Sequence, residues 1–124
     1  MNDPEAKLLP YRSYLNEQKA SLAASIRQLE KEGRQDEANL AKIRLNIVGV
    51  FETLLSADQA YCKGDQEAFF KRYEGRFTSI PASWQAHLEK ARTHGDASAQ
   101  LIEEVKLQTA NELHDVFLHG SENA

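Results

Sequence analysis

From Arg34 to Cys62 the chain reads as one helix whose apolar residues spread too widely for a single neighbour to cover. At 1.5 Å per residue such a helix is about 43 Å long. Leu40, Ile43, Ile47, Val50, Leu54 and Tyr61 fall on a heptad seam, with Phe51 beside it. Ala41, Leu45, Val48 and Leu55 lie about 100° further round. The apolar arc is therefore about twice the width of an ordinary amphipathic stripe. That places this segment at the centre of a helical bundle. A narrow polar arc remains, through Lys42, Asn46, Gly49, Thr53, Ser56 and Ala60. Gly49 lowers helix propensity by about 1 kcal/mol relative to Ala. It marks a close crossing or slight kink, or else it is a tolerated surface glycine.

The rest of the chain divides around this helix at glycine signals. Pro10 suits a first helical turn, and a first helix is predicted over about Pro10–Glu32, with Tyr11, Leu15, Leu22, Ile26 and Leu29 as its stripe. Lys31-Glu32-Gly33 is a stop, with Gly33 at the C′ position. The very short connection makes helices 10–32 and 34–62 antiparallel neighbours. Lys63-Gly64-Asp65 ends the second helix, and Asp65 caps a short third one over about Gln66–Phe77. Pro81 predicts a break over Thr78–Pro81 and opens a fourth helix over about Ala82–Thr93. Gly95 and the N-cap Asp96 repeat the signal before a fifth helix over about Ala97–Leu118. No segment alternates with period two for long enough to be a strand. The expectation is one all-α domain over 1–124, a long helical hairpin with three shorter helices packed on it. Residues 1–7 and 120–124 are expected as frayed tails.

Gly33, Gly64 and Gly95 recur every 31 residues. The phrase Gly33–Ala38 looks like the turn of a tetratricopeptide helix pair, but the larger signature of that repeat is absent from every window. A solenoid is not expected.

Length, 124 residues, fits one domain with one real core. The net charge of −4 is unevenly spread. Residues 1–62 carry 8 basic and 9 acidic groups, 63–94 carry 6 and 4, and 95–124 carry 1 and 6. No segment has the dense Lys/Arg stripe that phosphate backbones require, and the last quarter is acidic. Nucleic acid and anionic membranes are not expected partners. Apolar runs are too short to span a bilayer. The N-terminus is acidic and has no apolar core of a signal peptide. Cys62 is the one cysteine, which fits a reducing compartment, by default the cytoplasm.

Motifs for chemistry are missing. No His has a Glu three residues before it, as a di-iron bundle needs, and H-E-x-x-H is absent. His87 with His94, and Asp115 with His119, share helix faces, but two ligands are too few for a dedicated site, so no metal or cofactor is expected. There is no nucleophile elbow, P-loop or dinucleotide fingerprint. Two charges on the core side of the second helix, Arg44 and Asp58, are a candidate polar pocket. The plainer reading has Arg44 reaching water along its stem and Asp58 meeting a basic residue from the first or third helix. Phe69, Phe70, Tyr73, Phe77 and Trp84 crowd sixteen residues, interleaved with Lys71, Arg72 and Arg76. Helical spacing turns most of these rings inward. A candidate self-association patch is Phe70, Phe77, Ile80 and Trp84, rimmed by Arg72 and Arg76. The functional expectation is a non-enzymatic interaction module, either a homodimer or the partner of another helical protein. The alternative is a small-ligand or regulatory bundle with its pocket near Arg44 and Asp58.

Overall fold

The computed structural model describes the backbone of residues 4–123 and the side chains of residues 7–120. Five helices, α1 (Pro4–Lys31), α2 (Gln35–Cys62), α3 (Gln66–Ser79), α4 (Pro81–Thr93) and α5 (Ala97–Asn123), form an all-α bundle, and among the described residues there is no strand.

Local chemistry sets the turns. Gly33 sits at φ 75° and Gly95 at φ 65°, the left-handed region that a Cβ disfavours. In each turn two N–H groups fold back on the preceding helix: Gly33 to Glu30 and Arg34 to Leu29, Gly95 to Arg92 and Asp96 to Ala91. These bonds satisfy carbonyls that the helix end leaves open. Asp65 and Asp96 then cap the following helices, accepting from Ala68 N–H at 3.1 Å and Ala99 N–H at 3.0 Å.

The α1–α2 pair is the expected antiparallel hairpin. Arg12 donates to Gln59, Lys19 pairs with Glu52 at 2.9 Å, and Lys42 pairs with Glu30 at 2.8 Å. Each step up α1 is matched by a step down α2. Ala38 and Ala41 are buried where the two helices approach near the turn. α5 lies against all four other helices, while α4 rests on α5 and α3. It is nearly as long as the hairpin arms, and so it shares the central role that the sequence assigns to α2.

Three boundaries differ from expectation. α1 starts at Pro4, not near Pro10, because Leu8 and Tyr11 are both buried and carry the helix back through Pro10. α5 continues to Asn123, and Gly120 is buried in it: a Cβ there would lie 3.4 Å from Pro10 Cβ and 3.5 Å from the Lys7 carbonyl. The described parts of the expected tails are thus helical, and 1–3 and 124 lie outside the described residues. The break over Thr78–Pro81 shrinks to Ile80, which keeps helical angles (φ −67°, ψ −47°) and its own bond to the Arg76 carbonyl. Only Pro81, lacking an N–H, interrupts the ladder.

The core lies toward one end, where the N-terminal half of α1, the C-terminal halves of α2 and α5, and α3 meet. Its centre is aromatic. Tyr73 packs edge-on to Phe51 and Phe117 and is stacked on Phe69, while Phe77 stacks on Phe51 with centroids 4.5 Å apart. Such pairs add about 0.5–1.5 kcal/mol each beyond the area they bury. The Tyr73 hydroxyl donates to the Phe51 carbonyl at 2.8 Å, so the 2.6 Å contact with Tyr11 has Tyr11 donating to Tyr73. Burial pushes both phenols well above the ordinary tyrosine range. They stay neutral at any ordinary pH.

Tyr73→Phe removes the acceptor for Tyr11 and leaves a buried hydroxyl without a partner. It is expected to destabilise by about 1–3 kcal/mol in urea unfolding, and adding Tyr11→Phe should restore part of that loss. A double variant weaker than Tyr73→Phe alone would show that the two hydroxyls are not coupled.

Candidate functional site

Three charged residues occur between Ile43 and Cys62: Arg44, Glu52 and Asp58. Each faces a different neighbour of α2. Arg44 donates to Gln108 of α5 at 3.1 Å, Glu52 holds Lys19 of α1, and Asp58 is enclosed by α3. Asp58 is 1% exposed. It accepts Arg72 Nε at 3.0 Å, Arg76 Nη2 at 2.9 Å and Arg76 Nε at 3.2 Å. It also sits near the C-terminus of α2, where the helix dipole disfavours a carboxylate. The two guanidiniums offset that. Burial alone would raise the Asp58 carboxyl, but the hydrogen bonds and charges of Arg76 and Arg72 outweigh it and hold the group below the usual carboxylate range. Arg72 lies over the Tyr61 ring as well, 3.9 Å from its centroid.

With its charges turned sideways, α2 presents an uncharged outward face. Leu40, Ile43, Val50 and Leu54 are half-buried and Tyr61 is 68% exposed. These are residues of the heptad seam, and only Ile47 among them is fully buried. The bundle instead buries Ala41, Val48, Phe51 and Leu55. Beside the seam residues stand the exposed Asn46, Thr53, Ser56, Ala57 and Ala60. From Ile43 to Tyr61 the face runs about 27 Å. Its middle is an open groove of about 570 Å³, lined by Lys19, Leu45, Asn46, Gly49, Val50, Thr53 and Leu54. Nothing lies within 4 Å of where a Gly49 Cβ would be. Gly49 therefore serves no close crossing inside the bundle, and its missing side chain forms the floor of the groove.

The residues singled out from sequence are placed as follows. Arg44 and Asp58 are 14 positions apart on one helix, about 21 Å along its axis. They face α5 and α3 respectively and form no common pocket. Asp58 meets its basic partners on the third helix, in line with the plainer reading. In the aromatic patch, Phe77 is taken by the core, stacked between Phe51 and His114. Phe70 is half-buried and stacked on Phe117, with centroids 5.3 Å apart. Ile80 and Trp84 pack against the same cluster, and Arg72 and Arg76 both pair with Asp58. The pair His87 and His94 does not converge: His87 faces Glu103 at 3.4 Å, and the His94 ring bonds the Lys90 carbonyl. Asp115 and His119 are exposed on α5. Among the described residues no cluster of three or more His, Cys, Asp or Glu could hold a metal ion. Cys62 is half-buried at the α2–α3 turn.

The polar arc of α2 was visible in the sequence, but its lack of charge was not singled out. The signal was present: between Lys42 and Lys63 that arc carries no charge, in a chain where 27% of residues are charged.

No family model, curated protein or solved structure matches this chain. Among the described residues no helix is long and apolar enough to cross a membrane.

The Asp58 site predicts a pH signature. Its carboxyl titrates lower in the folded than in the unfolded chain, so its contribution is complete above the unfolded value of about 4. That contribution is lost as pH falls through the depressed folded value. Asp58→Asn should cost about 1–3 kcal/mol at neutral pH, less than a fully buried pair because the Arg72 side chain is 41% exposed. The stability gap between wild type and variant should close on acidification below about pH 4. A gap independent of pH would contradict the ion-pair account.

Proposed function

We propose that this protein is a non-enzymatic interaction module that self-associates through the outward face of α2. The observation that carries this is the uncharged, partly apolar 43–61 face with its open groove. Depletion of charge at the centre of a patch is the compositional mark of an interface core. The α2 positions of the face offer a partner no charge to read, and Lys19 at its edge is already paired with Glu52, whereas a second copy offers a face of the same chemistry. Closed twofold dimers, which bury one patch on both subunits, are the commonest oligomers. A strip about 27 Å by 10 Å amounts to about 300 Å² per copy, against about 800 Å² for a standard interface. The association is therefore weak and reversible, supplemented at its edges by Lys19 and Tyr61. The reading of a small ligand held between Arg44 and Asp58 has no shared cavity to support it. We keep the cytoplasm as the proposed compartment, since a chain with one cysteine gains no internal disulfide from an oxidising one.

Light scattering coupled to size exclusion tests the proposal. The mass should rise from monomer toward dimer as concentration goes from micromolar to hundreds of micromolar, with little dependence on salt because the face carries no charge. Thr53→Glu, at an exposed position, should return the protein to monomer with helicity intact. Gly49→Leu should raise the unfolding free energy by about 1 kcal/mol through helix propensity, yet weaken association by filling the groove. A monomer mass throughout the range overturns the reading.

A further inference from the structure

The corner between α2 and α3 holds more positive charge than it cancels. Arg72 and Arg76 stand one turn apart on α3 and converge on the same oxygen, Asp58 Oδ1, at 3.0 Å and 2.9 Å. Two guanidiniums thus share one carboxylate, which stays ionised because they hold it below the usual carboxylate range. Neither arginine meets a second carboxylate among the described residues, so one positive charge is left over.

The surroundings keep that charge open. Toward Asp58, Arg72 uses only Nε, and Arg76 uses Nε and Nη2. The Nη1 and Nη2 groups of Arg72 and the Nη1 group of Arg76 remain as donors. The two side chains are 41% and 27% exposed. Ala68, Gly75 and Ser79 lie on the same stripe of α3, at spacings of three and four residues, and are exposed, small and uncharged. Nothing lies within 4 Å of where a Gly75 Cβ would be. On α2, the exposed Ala57 and Tyr61 near Asp58 carry no charge either. A ligand can reach both guanidiniums, and no acidic side chain on this stripe competes with it. Both arginines are also ordered in advance. Asp58 fixes them from inside, and the Tyr61 ring holds the plane of Arg72. A ligand therefore meets the donors without the cost of ordering two long side chains.

We infer that the outer edges of Arg72 and Arg76 bind a small monocarboxylate. Its one negative charge cancels the one left over, and its two coplanar oxygens match the donor fork of a guanidinium. A phosphate dianion fits less well, because its second charge adds repulsion with Asp58. The two arginines then lie between a fixed internal carboxylate and an exchangeable external one. The site does not depend on self-association.

Titration of the wild-type protein with sodium acetate, read at the arginine Nε–Hε resonances by NMR, tests this. Sodium chloride at equal ionic strength is the control, and sodium phosphate is a second arm. Acetate is expected to shift the Arg72 and Arg76 signals along a curve that saturates in the millimolar range, while chloride gives no saturation. Arg72→Lys keeps the charge but removes the fork, and should weaken acetate binding about tenfold while the amide spectrum of α3 persists. A wild-type response to acetate that does not saturate, or that chloride reproduces, overturns the site whatever the variant does. Phosphate binding tighter than acetate overturns the carboxylate assignment.

Discussion

Tyr73 is the point on which the bundle closes. Its ring meets four aromatic rings from α2, α3 and α5, and its hydroxyl links the Tyr11 side chain of α1 to the backbone of α2 at Phe51. α3 is only 14 residues long and would not hold a helical conformation alone in water. It is ordered because Phe69, Tyr73 and Phe77 are driven into the space left between the hairpin and α5. Once they are seated, Arg72 and Arg76 on the next edge of the same helix fall within reach of Asp58. The ion pairs follow from the packing: they form only where the seated α3 brings both guanidiniums to the buried carboxylate.

The same closure decides which part of α2 remains outside. α1 covers one flank, and α5 and α3 cover the next. Between Ile43 and Cys62 the charges of α2, Arg44, Glu52 and Asp58, lie on those flanks, where each finds a partner. From Ile43 to Tyr61 the outward side has no flanking helix and no charge of its own, a combination unusual for a water-facing surface. It is also the side on which the helix carries Gly49, a residue that weakens the helix and has no steric reason within the bundle. The bare uncharged strip and the propensity defect in the middle of it are the features on which the proposed self-association rests.

The architecture was legible in the sequence because caps and periodicity are local signals. Gly33, Asp65, Gly95 and Asp96 act where the sequence puts them. The orientation of α2 was less legible. Its heptad seam through Leu40, Ile43, Val50, Leu54 and Tyr61 reads as core, yet most of it lies at the half-open edge, and the bundle closes over Val48, Phe51 and Leu55. Periodicity reports that an apolar arc exists; it does not report which edge of a wide arc the neighbours will cover. The partners of Asp58 lie 14 and 18 positions away on another helix, beyond the reach of spacing rules. A carboxylate on the core side near a helix C-terminus does announce that a cation must come from somewhere. Phe77 and Phe70 read as interface residues because five aromatic rings in sixteen residues exceed what one helix face can bury. Phe117 and His114 of α5, distant in sequence, provide the surfaces that accommodate them.

The central claim is that α2 keeps one face for another molecule of the same chain. Backbone amide chemical shifts, followed by NMR as the protein is concentrated, test it residue by residue. The account predicts concentration-dependent shifts clustered at Asn46, Gly49, Val50, Thr53, Ala57 and Tyr61, with the α4–α5 turn unmoved. Shifts confined instead to Phe70, Ile80 and Trp84, or a spectrum unchanged by concentration, would contradict it.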